Sequence, residues 1–260
     1  MKPLYRLVVH ILNRPMRHAM RWTVEGLEHV PPTGGALIAS NHISYVDPFA
    51  MAYLTNMIKR APLFMAKSEL YSNRWMDKFM RAMGHIPVDR GAADAATLDV
   101  AADILRSGEL LGVYPEGTIS NQHYNPMAGK TGVARIARAA AMPVIPLGLW
   151  GTHRLLTTGH RAPLTHRVAV AGVFGEPVIV APGDNPREAT DRIMAAVCEC
   201  VRRARVIYPQ GPHSPKDTWW VRTPDEVRLM SCRGRVAQEM LDRTAEACFG
   251  QSMGQGPPST

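Results

Sequence analysis

From residue 34 onward the chain alternates short apolar runs with longer segments of helical periodicity, and this alternation restricts it to one broad architecture. The apolar runs at 35–40, 62–66, 85–88, 109–114, 143–149 and 167–173 read as strands. Helical patterns fall between them at 47–58, 68–83, 93–107 and 130–141, with another at 186–206. Strands separated by helices of this length imply an α/β fold, a single domain with a mostly parallel central sheet flanked by helices. In such sheets ligands bind beyond the carboxyl ends of the strands, so the residues to examine are those that leave a strand. Pro146 lies inside the run 143–149 and marks an edge position or a bend.

The two ends of the chain differ from this body. Leu4, Leu7, Val8, Ile11 and Leu12 follow the spacing of one helical face, with Lys2, Arg6 and His10 largely off the stripe and Pro15 interrupting it. Two readings of this amphipathic segment stand side by side: a helix resting on a bilayer, or a helix docked on the core. Five of the eight excess positive charges (Lys2, Arg6, Arg14, Arg17, Arg21) precede the first acidic residue, Glu25, whereas the stretch from Lys216 onward is neutral. A basic end on a neutral body suits anionic lipid head groups. Nucleic acid is disfavoured, because aromatic and basic residues do not interleave as a stacking platform requires. Residues 207–218 read as a Pro-rich linker, a C-terminal helix is expected near 224–248, and the Gly/Pro/Ser/Gln tail at 250–260 should be disordered.

No apolar run is long enough to span a bilayer, and no signal peptide is apparent. The four cysteines include no C-x-x-C pair, which suggests neither a zinc site nor a disulfide framework and makes a reducing compartment the default. His153, His160 and His166 lack metal-ligand spacing and read as loop residues. Gly129-Lys130-Thr131 invites a phosphate-loop reading, but the glycine required five positions earlier is Tyr124.

Four segments follow strands. In Asn41-His42-Ile43-Ser44-Tyr45-Val46-Asp47 an imidazole and a carboxylate sit at a strand-to-helix turn. An aspartate there can hold one ring N–H of the histidine and leave the other nitrogen to take a proton from a hydroxyl. No protein nucleophile accompanies the pair, so the hydroxyl belongs to a substrate. Arg90 follows the second strand segment, placed for bidentate capture of phosphate or carboxylate. Tyr114-Pro115-Glu116-Gly117-Thr118 leaves the third, and Val144-Ile145-Pro146-Leu147-Gly148 forms the fourth.

In this order, over roughly residues 20 to 175, the four segments resemble the glycerolipid acyltransferases, the family of 1-acylglycerol-3-phosphate O-acyltransferases (lysophosphatidic acid acyltransferases). The resemblance implies a fatty acyl transfer from acyl-CoA or acyl-carrier protein, as substrate rather than cofactor, to a lysophospholipid hydroxyl, with no metal. It implies His42 as general base and Asp47 as its orienter. Arg90 would meet the acceptor's phosphate, and Glu116, Gly117 and Thr118 would belong to the acceptor site. Glu116 either holds an acceptor hydroxyl or orients a cation such as Arg90. Lys130 and Gly132 match residues that often follow the third block, Lys130 adding charge at the phosphate, and Lys67 is a weaker match. Backbone N–H groups near Ile43 and Ser44 are candidate donors to the oxyanion. One departure concerns the acceptor: arginine usually follows the threonine of the third block, and here Ile119 does. The domain plan is then an amphipathic segment at 1–22, the acyltransferase domain at 23–206, a linker and helix at 207–249 and the tail. Its place is peripheral or monotopic, on the cytoplasmic face of the cell membrane. A different lipid or alcohol acceptor, a thioesterase, or a non-catalytic membrane lipid-binding protein on the same scaffold are the competing functions.

Overall fold

The computed structural model describes residues 3–88, 95–120, 126, 128–161, 167–211 and 219–220. Arg90, His166, most of the expected linker, the C-terminal helix and the tail lie outside the described residues. The chain opens with helix α1 (Pro3–Ala19) and strand β1 (Met20–Glu25). It continues through β2 (Ala36–Ser40), α2 (Asp47–Asn56), β3 (Leu63–Lys67), α3 (Arg74–Met83), β4 (Ile86–Val88), α4 (Ala95–Arg106) and β5 (Leu110–Val113). Then come α5 (Gly132–Ala140), β6 (Val144–Trp150), a small hairpin of β7 (Leu156–Thr157) and β8 (His160–Arg161), β9 (Val168–Phe174) and α6 (Pro186–Ile207). A 3₁₀ turn at Ser68–Tyr71 takes the first part of the helix expected at 68–83, and Asn73 caps the true helix by accepting from the N–H groups of Trp75 and Met76.

Seven strands form one sheet in the order β1-β9-β6-β2-β5-β3-β4, and β7 and β8 pair separately. The five strands from β6 to β4 are mutually parallel; β9 runs antiparallel to β6, and β1 is parallel to β9. Every residue of β2, β5, β6 and β9 is buried, as a sheet covered on both faces demands. Alternation divides the core: Ala36 and Ile38 of β2 pack on Ala50, Met51 and Leu54 of α2, while Leu37 and Ala39 face the opposite layer with Ala101, Leu105, Val133 and Val197. In that second layer α6 seats directly on β6, and a methyl group at Gly148 would come within 2.2 Å of the Cys200 and Val201 backbone.

Three features depart from the sequence reading. Pro146 is not at an edge of the sheet, since β6 lies between β9 and β2. The antiparallel register to β9 starts only at Leu147–Phe174, and Val144 bridges to Val178, so the proline sits in the gap between these pairings. Strand β1 was not anticipated, because most of its residues are only half-buried at the sheet edge and carry no apolar run. Cys198 is disulfide-bonded, contrary to expectation; Cys200 is a buried free thiol, its pKa pushed up to about 12 mainly by burial.

Helix α1 reconciles its two readings. Tyr5 and Val9 face the core, and the Tyr5 hydroxyl donates to the Pro62 carbonyl at 2.6 Å, so the helix is docked. Of the apolar stripe, Leu4, Leu7 and Ile11 are nonetheless exposed, at 43, 55 and 56%, while Val8 packs against the core.

At the upper end of β2, Asn41 extends the sheet with its side chain. Its Nδ2 donates to the Leu149 carbonyl at 3.0 Å, and the Leu149 N–H donates to Oδ1 at 2.8 Å. Asn41→Leu leaves two buried backbone groups of β6 without partners, at about 1–3 kcal/mol each, and is expected to lower stability by roughly 2–4 kcal/mol in urea unfolding. A second prediction concerns acid. His85 is buried, with its Nδ1 accepting from the Phe64 N–H at 3.1 Å, and burial lowers its pKa from 6.5 to about 4. As pH falls through that window the unfolded chain takes up a proton that the folded chain refuses, so this contribution is complete above pH 6.5 and is lost toward pH 4. The loss is on the order of 3 kcal/mol, and urea unfolding of His85→Gln across the same window should show a correspondingly flatter pH dependence.

Candidate active site

β2, β5 and β6 are neighbours in the sheet and parallel, so the segments leaving them emerge side by side. This adjacency brings residues 74 positions apart into contact: the His42 N–H donates to Glu116 Oε1 at 2.8 Å. The His42 carbonyl in turn accepts from the Ser120 N–H at 2.7 Å, so the segment after β5 grips the His42 backbone from both sides.

Asp47 is the first residue of α2 and is fully buried. One of its oxygens, Oδ2, accepts three hydrogen bonds: from His42 Nδ1 at 3.0 Å, from the Ile43 N–H at 2.7 Å and from the Ser44 N–H at 2.8 Å. Its Oδ1 has no hydrogen-bond partner among the described residues. With Asp47 as a carboxylate the proton of the imidazole resides on Nδ1, which leaves the lone pair on Nε2. No described residue bonds Nε2, and the ring is 14% exposed. The Ile43 and Ser44 N–H groups, offered by the sequence as oxyanion donors, are therefore already committed to Asp47.

The Tyr114 ring lies on that of His42, with centroids 4.1 Å apart and planes at 21°, and so limits the tilt of the imidazole. Its hydroxyl is buried with no partner among the described residues, and burial, followed by the charge of Asp47, raises its pKa well above the usual tyrosine range. Tyr114 is a neutral plate beside the histidine. The chain then turns through Gly117, whose N–H donates to the Tyr114 carbonyl at 2.9 Å and whose φ of 72° suits glycine. Lys130 crosses this turn: its N–H donates to the Pro115 carbonyl at 2.9 Å, and a methyl group on Gly117 would come to 3.0 Å from its Cε and Nζ. Arg187 holds the preceding residue by donating to the Gly129 carbonyl at 3.0 Å. The structure thus gathers His42, Asp47, Glu116, Gly117 and Lys130, with Thr118 exposed beside them. Arg90 and the side chain of Lys67 lie outside what is described.

Sequence reasoning missed a clasp on the turn. The Leu156 carbonyl accepts from Ser44 Oγ at 2.6 Å and from the Tyr45 N–H at 3.3 Å, and Thr157 Oγ1 donates to the Ile43 carbonyl at 2.7 Å. A two-residue strand leaves almost no periodic signal, and no local pattern announces its partner more than a hundred positions away. Tyr45 and Phe49, about half exposed, stand at the mouth of the turn as apolar surface. Among the described residues, no group of three His, Cys, Asp or Glu side chains converges as a metal site would require.

Chemically, the arrangement is a base poised on a carboxylate, with a cation on the adjacent turn. Comparisons with known proteins agree with this class. The Acyltransferase family model matches residues 21–150. A 1-acyl-sn-glycerol-3-phosphate acyltransferase of Bacillus subtilis (strain 168) is 28% identical over 124 residues, 48% of this chain and 60% of that protein. One of Streptococcus pneumoniae (strain ATCC BAA-255 / R6) is 27% identical over 168 residues, 62% of this chain and 59% of that protein. The chain therefore spans about three-fifths of the length of these curated relatives. The crystal structure of the 1-acyl-sn-glycerophosphate (LPA) acyltransferase, PlsC, from Thermotoga maritima shares the fold, with a TM-score of 0.59 and 24% identity over 76% of this chain and 80% of that one. Since the family match takes in half of its residues, including the whole of the His42–Asp47 and Tyr114–Thr118 segments, the chain belongs to the acyltransferase family.

Proposed function

We propose that this protein transfers a fatty acyl group from acyl-CoA or acyl-carrier protein to the free hydroxyl of a lysophospholipid, with 1-acylglycerol-3-phosphate as acceptor and phosphatidic acid as product. The observation that carries the reading is the His42 ring, held through Nδ1 by Asp47 and with no described partner at Nε2. The similarity to the 1-acyl-sn-glycerol-3-phosphate acyltransferases of B. subtilis and S. pneumoniae supports the acceptor. In the reaction, the acceptor oxygen attacks the thioester carbon as its proton passes to His42 Nε2. The carbon–sulfur bond then breaks, and the departing thiolate is protonated. Asp47 stabilises the imidazolium that forms in between. Lys130, on the Gly117 turn, would meet the acceptor's phosphate, with Arg90 joining it as the motif implies. Glu116 acts in this scheme by fixing the His42 backbone, and Tyr114 by fixing the plane of its ring.

The acceptor would come from a membrane. The outward leucines of α1, together with exposed Arg14 and Arg17, support a protein lying peripherally or monotopically on an anionic surface. No described helix is long and apolar enough to cross a bilayer.

Four expected outcomes test these proposals. In the purified full chain, His42→Ala should lower acyl transfer about 10²–10⁴-fold with an unchanged urea midpoint. Asp47→Asn should lower it by about 10²-fold or more. Retained turnover in His42→Ala would remove the base. Thiol release is followed with and without 1-acylglycerol-3-phosphate, other lysolipids and simple alcohols; release independent of acceptor identifies a thioesterase instead. For the membrane, Leu7→Glu/Ile11→Glu should pellet less with phosphatidylcholine–phosphatidylglycerol vesicles, and unchanged pelleting would refute the role of α1.

A further inference from the structure

A second helix exposes apolar surface that the reaction does not use. On α3, Trp75 is 71% exposed, and Met76 and Phe79 are 43 and 42% exposed. Trp75 and Phe79 stand one helical turn apart and share a face, with Met76 beside them. A protein that meets only water rarely leaves a tryptophan, a methionine and a phenylalanine contiguous at its surface. The helix is firmly built: Asn73 caps its start and Gly84, in the left-handed region, closes its end, so the exposure belongs to a folded element.

Basic residues outnumber acidic ones on this helix. Arg74, Lys78 and Arg81 are exposed and, with Trp75 and Asp77, line a shallow groove on the helix. The Arg74 guanidinium lies over the Trp75 ring at 5.2 Å. Asp77 is the acid of this helix and is paired with Arg81 at 2.6 Å, which leaves Arg74 and Lys78 in excess. A tryptophan flanked by arginine and lysine suits the boundary between lipid chains and anionic head groups, with rings in the apolar layer and cations among phosphates. Helix α1 packs against α3 and presents its own exposed Leu4, Leu7 and Ile11.

We infer that α3 is a membrane-docking helix, which seats Trp75, Met76 and Phe79 in the interface of an anionic bilayer and sets Arg74 and Lys78 against lipid phosphates. It rests on the reading of the chain as a membrane-surface protein and adds to α1 a second, aromatic contact. Two contacts on different helices fix an orientation on the surface, which a single amphipathic helix does not.

The test uses the full-length protein and vesicles of phosphatidylcholine with or without phosphatidylglycerol. Trp75→Ala/Phe79→Ala should weaken partitioning to mixed vesicles about tenfold or more, the equivalent of about 1.4 kcal/mol. Arg74→Glu/Lys78→Glu should weaken binding to mixed vesicles while sparing binding to pure phosphatidylcholine. Lipids brominated in their chains should quench a fluorescence component that Trp75→Phe removes. Acyl transfer to a short-chain acceptor dissolved as monomers should persist in every α3 variant, and its loss would mean that the face serves the fold or the chemistry, overturning the proposal. Unchanged partitioning of Trp75→Ala/Phe79→Ala, alongside loss in Leu7→Glu/Ile11→Glu, overturns the role of α3 and leaves that of α1 intact. A change of oligomeric state in the α3 variant with unaltered vesicle binding overturns it as well, by assigning the face to a second copy of the chain.

Discussion

A single carboxylate oxygen organises the site. Asp47 Oδ2 receives the His42 ring N–H and the backbone N–H groups of Ile43 and Ser44, so one buried atom fixes the turn, the start of α2 and the tautomer of the imidazole together. Burying a carboxylate is costly unless donors replace water, and three donors on one oxygen supply that replacement. The same economy restricts the chemistry. Ile43 and Ser44 cannot also stabilise an oxyanion, so in the proposed reaction its donors would come from elsewhere. The spacing of five between His42 and Asp47 follows from this closed loop: the carboxylate must reach back over the turn to all three donors.

The turn is a short object held by the ends of three strands. Asn41 ties it to β6, Glu116 and the Ser120 N–H tie it to the exit of β5, and Leu156 and Thr157 clasp it from the hairpin beyond β6. Each of these partners is distant in sequence and close only because β6, β2 and β5 lie next to one another in parallel. A slip in register would detach Glu116 from His42 as surely as a mutation. Full burial of these strands opposes such a slip, and so does the contact between Gly148 and the backbone of α6. The precision of the site is thus a property of the sheet.

This division explains what could be read from the chain beforehand. The buried strands were legible because strands covered on both faces are continuously apolar, and each runs within a residue or so of its expected span. Strand β1 escaped because an edge strand with half-exposed residues has neither a run nor a clean alternation. Pro146 misled for a related reason: the rule that proline avoids sheet interiors concerns ladder hydrogen bonds, and β9 leaves a gap in its ladder at that point. Within the site, residue types and spacing suggested the pairing of His42 with Asp47, since both lie on one turn. Glu116 was found as a residue of interest, but its bond to the His42 backbone was beyond reach, because it depends on two strands being neighbours. Leu156 contributes a main-chain carbonyl, which no residue type encodes.

Helix α1 carries the most instructive inversion. Three members of its apolar stripe, Leu4, Leu7 and Ile11, are exposed, and the docking is done by Tyr5, through a hydroxyl bonded to Pro62, and by Val8 and Val9. A helix that met only protein and water would place Leu4, Leu7 and Ile11 inward and leave the tyrosine at the rim. The observed arrangement withholds roughly half of each of these side chains from the core, and α3 does the same with Trp75 and Phe79. Such exposure forgoes stabilisation of about 25 cal/mol for every Å² of apolar area left in water. On the proposed reading, that loss would be recovered at a bilayer, where the exposed faces of α1 and α3 would find the apolar phase that the folded chain does not provide.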